Sequence, residues 1–193
     1  SPASLVGSEM CIRDRIRITD LEIEEEVKKN GDIGVVEVKG PNVFKGYWKQ
    51  PEKTKSEFRD DGYFITGDMG FLDQDKYLTI VGRNKDLIIT GGLNVYPKEI
   101  ETVIDQDNNV EESAVVGVSH PDFGEGILAI IVEKKGHSIN VDIINETLRK
   151  NLAAFKLPKK IHVIKELPRN SMGKVQKNVL RDIYRDEFSD TNK

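Results

Sequence analysis

The sequence predicts an α+β fold in two parts: a β-rich first part, then a small mixed α+β part with a three-stranded sheet and helices. Three observations predict it. From Ile16 to Val81, short alternating or apolar runs are separated by turn residues, the pattern of strands joined by tight connections. After Pro97 the apolar spacing alternates between helical periods and continuous strand-like runs. No internal repeat or low-complexity stretch interrupts either part.

The elements follow in order. Residues 1–15 lack periodicity and are too weakly apolar for a secretory signal; they read as an artefactual or disordered leader, set aside together with Cys11. Ile16-Arg17-Ile18 alternates as a half-buried strand does. Asn30-Gly31-Asp32 signals a turn, Val35 to Val38 a strand, and Gly40-Pro41 its end. Phe44, Tyr47 and Trp48 form an aromatic cluster of the kind that fills a core. Pro51 to Lys55 reads as a helical turn leading to Phe58. Asp61-Gly62 suits a tight turn before a strand over Tyr63 to Ile65, with Asp68 at the strand's end. Phe71-Leu72 and Tyr77 to Val81 flank Asp73-Gln74-Asp75 as a hairpin that leads to Arg83.

Leu87 to Ile89, Gly91-Gly92 and Asn94 to Tyr96 spell a second hairpin with paired glycines at its tip. Glycine there permits positive φ and leaves room for another molecule to approach the backbone. Pro97 suits a first helical position, where its missing N–H costs nothing. Ile100, Val103 and Ile104 then share one helix face. Ser113 to Val118 is an apolar strand, His120-Pro121-Asp122 and Gly124-Glu125-Gly126 are connections, and Ile127 to Val132 is a strand apolar enough to be central. Val141, Ile144, Leu148 and Leu152 recur at helical intervals, and Ile161 to Ile164 is a third strand. A loop over residues 167–177 precedes an amphipathic helix with Val179, Leu180 and Ile183. Residues 186–193 read as a frayed polar tail.

Composition excludes several function classes. A net charge of −4 gives no general attraction to nucleic acid or to anionic membranes. No apolar run approaches the roughly 18–20 residues that span a bilayer. A single cysteine rules out an internal disulfide and a cysteine-based metal site, and a reducing cytoplasm is the default expectation. His120, His137 and His162 lack ligand spacing and read as turn, loop and strand residues, so no protein metal site is expected. Taken alone, Asp68 reads as a turn cap, Arg83 as half of a surface ion pair, and Lys174 as a solvated surface residue.

Two longer strings change that reading. The first is Gly82-Arg83-x-Lys85-Asp86-x-Ile88-x-x-Gly91-Gly92-x-Asn94-Val95-x-Pro97-x-Glu99-Ile100-Glu101. The second is Leu167-Pro168-Arg169-Asn170-Ser171-Met172-Gly173-Lys174-Val175-Gln176-Lys177. Together they resemble the hinge, hairpin and lysine loop of the adenylate-forming superfamily, which includes acyl-CoA synthetases, luciferases and peptide-synthetase adenylation domains. The resemblance covers about residues 16–185, which correspond to the final third of such an enzyme.

The resemblance implies a division of the chain. Residues 16–85 would end the large adenylating domain with a small distorted barrel, and residues 86–193 would be the C-terminal lid. It also implies roles. Asp68 would accept both ribose hydroxyls of ATP, which a two-oxygen carboxylate suits. Arg83 would lie near ribose and phosphates, and Asp86 would be the pivot of lid rotation. Gly91, Gly92 and Leu93 would line the passage of the pantetheine arm. Lys174 would be the catalytic lysine and an ATP contact. The substrates implied are a carboxylic acid, ATP with Mg2+, and coenzyme A. The Ser/Thr/Gly-rich phosphate loop and the acyl pocket are missing, so the chain reads as a C-terminal fragment, inactive without the N-terminal large domain.

For the acid, the strings at 40–49 (Gly-Pro-Asn-Val-Phe-Lys-Gly-Tyr-Trp-Lys), 120–126, 155–159 and 169–178 resemble malonyl-CoA synthetases. A fatty or aromatic acid is the alternative within the class. A detached, non-catalytic lid that docks on a partner is the alternative outside it. Transfer to a carrier protein, as in peptide synthetases, is disfavoured because no carrier-domain serine motif follows.

Overall fold

The computed structural model describes residues 15–20 and 31–189. The proposed leader up to residue 14, with Cys11, lies outside the described residues, as do residues 21–30 and 190–193. Arg15 is the first residue of a strand rather than the last of a leader. The chain divides into two compact units, residues 1–85 and 86–193.

The first unit holds one antiparallel sheet, ordered β1 (Arg15–Thr19), β2 (Gly34–Lys39), β3 (Phe64–Leu72) and β4 (Leu78–Arg83). These described strands form an open path, not a closed barrel. Ile18, Val35, Val36 and Met69 are its buried apolar side chains. Helix α1 (Pro51–Glu57) starts on Pro51, as expected. Phe44 packs edge-on against Tyr47, Phe58 and Phe64, with ring centroids 5.0–5.4 Å apart. Trp48 does not join this cluster: it is 84% exposed, a correction to the core reading. Glu37 was invisible as a feature of the sequence. Its carboxylate is fully buried, paired with Arg17 at 2.7 Å and Arg59 at 2.8 Å, and it accepts from the Thr19 hydroxyl. A buried charge persists only with such partners.

The second unit is built around β8 (Gly124–Glu133). Along one edge it pairs antiparallel with β7 (Val110–His120); along the other it pairs in parallel with β9 (Lys160–Ile164). The hairpin strands β5 (Ile88–Thr90) and β6 (Leu93–Val95) join the same sheet through Thr90 and Gly124, so the three expected strands become five. Side chains on β8 alternate between two cores. Ile127, Ala129 and Ile131 face α2 (Pro97–Ile104) and α3 (Val141–Asn151), with Ile100, Ile104, Ile144 and Leu148. Leu128, Ile130 and Val132 face Leu167, Leu180 of α4 (Lys177–Ile183) and Phe188. Burial on both faces is why this stretch is continuously apolar.

Local signals explain the helix starts. Pro97 occupies the first turn of α2, and the Asn140 side chain caps α3 by accepting from the Asp142 and Ile143 amides. Two expectations fail here. Residues 186–189 are not a frayed tail. Phe188 is 4% exposed in the second core, and Glu187 pairs with Lys160 at 2.9 Å. His120 is not an open turn residue either; it is the buried last residue of β7, packed between Phe123 and Phe188. On α4 only Leu180 is buried, while Ile183 is 63% exposed. No helix among the described residues is long and apolar enough to cross a membrane.

Candidate functional site

In the first unit the structure brings Asp68 and Arg83 together. Asp68 lies within β3 rather than at its end, directly across from Arg83 on β4. Counting back from the turn would place Asp68 opposite Gly82. A bulge between Met69 and Gly70 shifts the register by one and substitutes Arg83. Arg83 Nε is 2.9 Å from Asp68 Oδ1, and its Nη1 donates to the Thr66 carbonyl at 3.1 Å. The Asp68 amide donates to Thr66 Oγ1, fixing the backbone beneath the carboxylate. Arg83 is the described side chain paired with the Asp68 carboxylate, which stays 30% exposed. The pair is thus oriented, partly exposed and left with acceptor capacity.

In the second unit the candidate residues fall on three features. Asp86 ends a 3-10 turn over Asn84–Asp86 and pairs with Arg181 of α4 at 2.8 Å. This ties the first residues of the unit to its last helix. The hairpin tip carries Gly91 and Gly92 at φ +56° and +77°, a turn that L side chains rarely adopt. A Cβ on Gly92 would meet nothing within 4 Å, and one on Gly91 only an ordinary contact with Phe123. The turn geometry, not internal crowding, selects glycine there. Leu93 is 47% exposed beside the tip. The hairpin is held to β8: the Gly91 amide donates to the Phe123 carbonyl and the Ile89 amide to Glu125 Oε2.

Lys174 stands on the third feature, a closed loop. The Gln176 amide donates to the Pro168 carbonyl, and Arg169 and Val175 form a bridge. Inside the loop, Asn170 Oδ1 accepts from the Met172 and Lys174 amides, and Gly173 takes φ +77°. The Lys174 side chain is exposed, and its ammonium has no partner among the described residues. The two neighbouring cations of the loop are engaged. Lys177 pairs with the buried Glu101 at 2.6 Å, and Arg169 pairs with Glu112 of β7. Sequence reasoning found neither pair, because the partners lie 76 and 57 residues apart.

The hairpin and the lysine loop attach at opposite ends of the β7–β8 ladder. Glu112 faces Val132, while Gly124, at the other end, faces His120. Eight residues of β8 separate these attachment points, about 27 Å of extended strand. No three His, Cys, Asp or Glu side chains converge on a metal-binding cluster among the described residues.

Residues 99–174 match the AMP-binding enzyme C-terminal domain. This stretch is an AMP-binding enzyme C-terminal domain. Over 163 residues the chain is 39% identical to a 2-succinylbenzoate–CoA ligase of Geobacillus sp. strain WCH70, covering 84% of this chain and 33% of the relative. It is 41% identical over 142 residues to a long-chain-fatty-acid–CoA ligase of Bacillus subtilis, covering 74% and 25%. The ATP-bound MatB of Rhodopseudomonas palustris superposes with a TM-score of 0.85 at 58% identity, over 91% of this chain and 35% of MatB. The chain therefore spans about a quarter to a third of the length of these relatives.

Proposed function

We propose that this chain is the C-terminal part of an ATP-dependent carboxylic acid–CoA ligase, and that its acid is malonate. The observation that carries the ligase reading is the unpaired Lys174, presented by a loop whose Asn170 side chain clasps the lysine's own amide. In the first half-reaction a carboxylate oxygen bonds to the α-phosphorus of ATP. The bond from that phosphorus to the bridging oxygen breaks, and pyrophosphate leaves. Two anions must meet, and Lys174 supplies the positive charge between them. At 4 Å and an effective dielectric near 20, one such pair is worth about 4 kcal/mol before desolvation. Asp68 takes the ribose hydroxyls on the carboxylate that Arg83 orients. Mg2+ would travel on the nucleotide phosphates.

In the second half-reaction the thiol sulfur of coenzyme A bonds to the acyl carbon, AMP leaves, and the thiol proton is released. Lys174 is not needed there. The lid turns about Asp86 and presents Gly91, Gly92 and Leu93 to the pantetheine arm. The 27 Å between the two attachment points supports a rotation that exchanges one feature for the other. If Asp86 is the pivot, Asp86→Pro slows thioester formation more than adenylation, while Asp86→Ala, which also loses the Arg181 pair, does not. Equal effects of the two substitutions would remove the hinge role. The cytoplasm, where ATP and coenzyme A are available, is the proposed location.

For malonate, the support is the four subfamily strings and the 58% identity to the malonyl-CoA synthetase MatB, against 39% and 41% to the two ligases for other acids. Those strings mark a subfamily and do not form an acyl pocket, so the test is direct. The full-length protein containing this chain is assayed for AMP release with malonate, 2-succinylbenzoate, and fatty and aromatic acids. A kcat/KM highest for malonate is expected. Preference for another acid would leave the ligase class standing and remove malonate. No AMP release with any of these acids would favour a non-catalytic, docking lid.

A further inference from the structure

Arg169 lies five residues before Lys174, and as a cation beside a phosphate-handling loop it invites reading as a second phosphate contact. Its geometry says otherwise. Nη1 donates to the Gly173 carbonyl at 2.6 Å, and Nη2 is spent on the Glu112 carboxylate. The fork therefore joins the peptide immediately before Lys174 to β7, a strand of the central sheet. Arg can make two such attachments at fixed angles and Lys cannot. We propose that Arg169, held by Glu112, is a positioning residue for Lys174. It fixes the Gly173–Lys174 peptide, and so the direction in which the lysine side chain leaves the loop.

Three observations converge on this. Gly173 sits at φ +77° and a Cβ there would meet nothing within 4 Å, so packing does not hold this peptide in place. Asn170 clasps the Lys174 amide from within the loop but gives no attachment to the rest of the unit. Lys177–Glu101 anchors the loop only after it has closed, at the first residue of α4. Arg169–Glu112 is thus the described side-chain link between the lysine's own peptide and the sheet. Both partners are partly exposed, at 44% and 27%, so the pair contributes little to overall stability. Its effect falls on placement, where an error of about 1 Å can cost roughly 100-fold in rate.

This inference rests on the role given to Lys174, and the test separates the two. In the full-length protein, adenylation is followed by pyrophosphate release, and thioester formation is started from preformed acyl-adenylate. Arg169→Ala is expected to lower the adenylation kcat by about 10- to 100-fold with the KM for ATP nearly unchanged, and to leave the thioester step within about twofold. Arg169→Lys, which keeps the charge but not the fork, should fall between the two. Arg169→Ala combined with Glu112→Ala should be no worse than Arg169→Ala alone. In the same full-length protein, Arg169→Ala should raise amide hydrogen exchange at Met172 and Lys174 and leave β7 and β8 unchanged. Wild-type adenylation in Arg169→Ala, or equal loss of both half-reactions, would overturn the positioning role. Retention of adenylation in Lys174→Ala would instead overturn the reading on which it rests.

Discussion

Phe188 offers the sharpest structural prediction, because the polar residues around it conceal its role. Its ring is 4% exposed and lies over Gly126 and His120. Phe188→Ala removes a buried ring and leaves a cavity, which typically costs about 3–5 kcal/mol. For a unit of this size each kcal/mol moves the midpoint by about 4–8 °C, so the transition of residues 86–193 should fall by at least about 12 °C. Gly126 supplies an internal check. A Cβ there would lie 2.5 Å from Phe188 Cε2 and 2.6 Å from Cδ2, contacts that force the ring to move. Gly126→Ala alone should cost about 1–3 kcal/mol by overpacking. In the Phe188→Ala background the two tightest contacts are gone and the 3.0 Å approach to His120 remains, so the same alanine should cost at least about 1 kcal/mol less. The assay is thermal and urea unfolding of the two single variants and the double variant. Loss of under about 1 kcal/mol in Phe188→Ala, with strict additivity to Gly126→Ala, would refute the packing argument.

Three further outcomes follow from the geometry. Asp68→Ala in the full-length protein should raise the KM for ATP by about 10-fold or more, since hydrogen bonds to a charged group are worth about 1.5–3 kcal/mol each. Stability should barely move, because the Arg83 pair is exposed; an unchanged KM would remove the ribose role. Gly92→Asn should fold, since asparagine tolerates positive φ and the site is open, yet slow the thioester step measured from acyl-adenylate. A wild-type thioester rate would show that the tip does not line the passage. Lys160, and then His162, hold the Glu187 carboxyl below the usual glutamate range. A carboxyl lowered in the fold gives stability that is complete above its unfolded pKa and lost as pH falls through the folded value. The midpoint difference between wild type and Glu187→Gln should therefore be present at pH 7 and shrink below about pH 4. A difference that does not change with pH would contradict the ion pairing.

Much of this architecture is legible in the residues because local chemistry dictates it. Gly91-Gly92 demands a positive-φ turn, Pro97 a helix start, and Ile127 to Val132 a strand covered on both faces. What escapes depends on distant partners or on small register shifts. The opposition of Asp68 and Arg83 requires a bulge that no residue type announces. Phe188 stands among Asp, Glu and Ser and looks solvated, yet the gap above Gly126 takes its ring. Trp48 errs the other way, since three phenylalanines and Tyr47 complete the cluster without it. The site follows the same rule. Lys174 is recognised by its string, but the Arg169–Glu112 and Lys177–Glu101 attachments span separations over which sequence spacing carries no information.

The central claim is that Lys174 serves one half-reaction and the glycine hairpin the other. The direct measurement is the rate of each step in Lys174→Ala of the full-length protein. The account predicts adenylation reduced by about 100- to 1,000-fold, the usual loss for a well-placed transition-state donor, with preformed acyl-adenylate still converted to thioester near the wild-type rate. Loss of both steps to the same extent would contradict it.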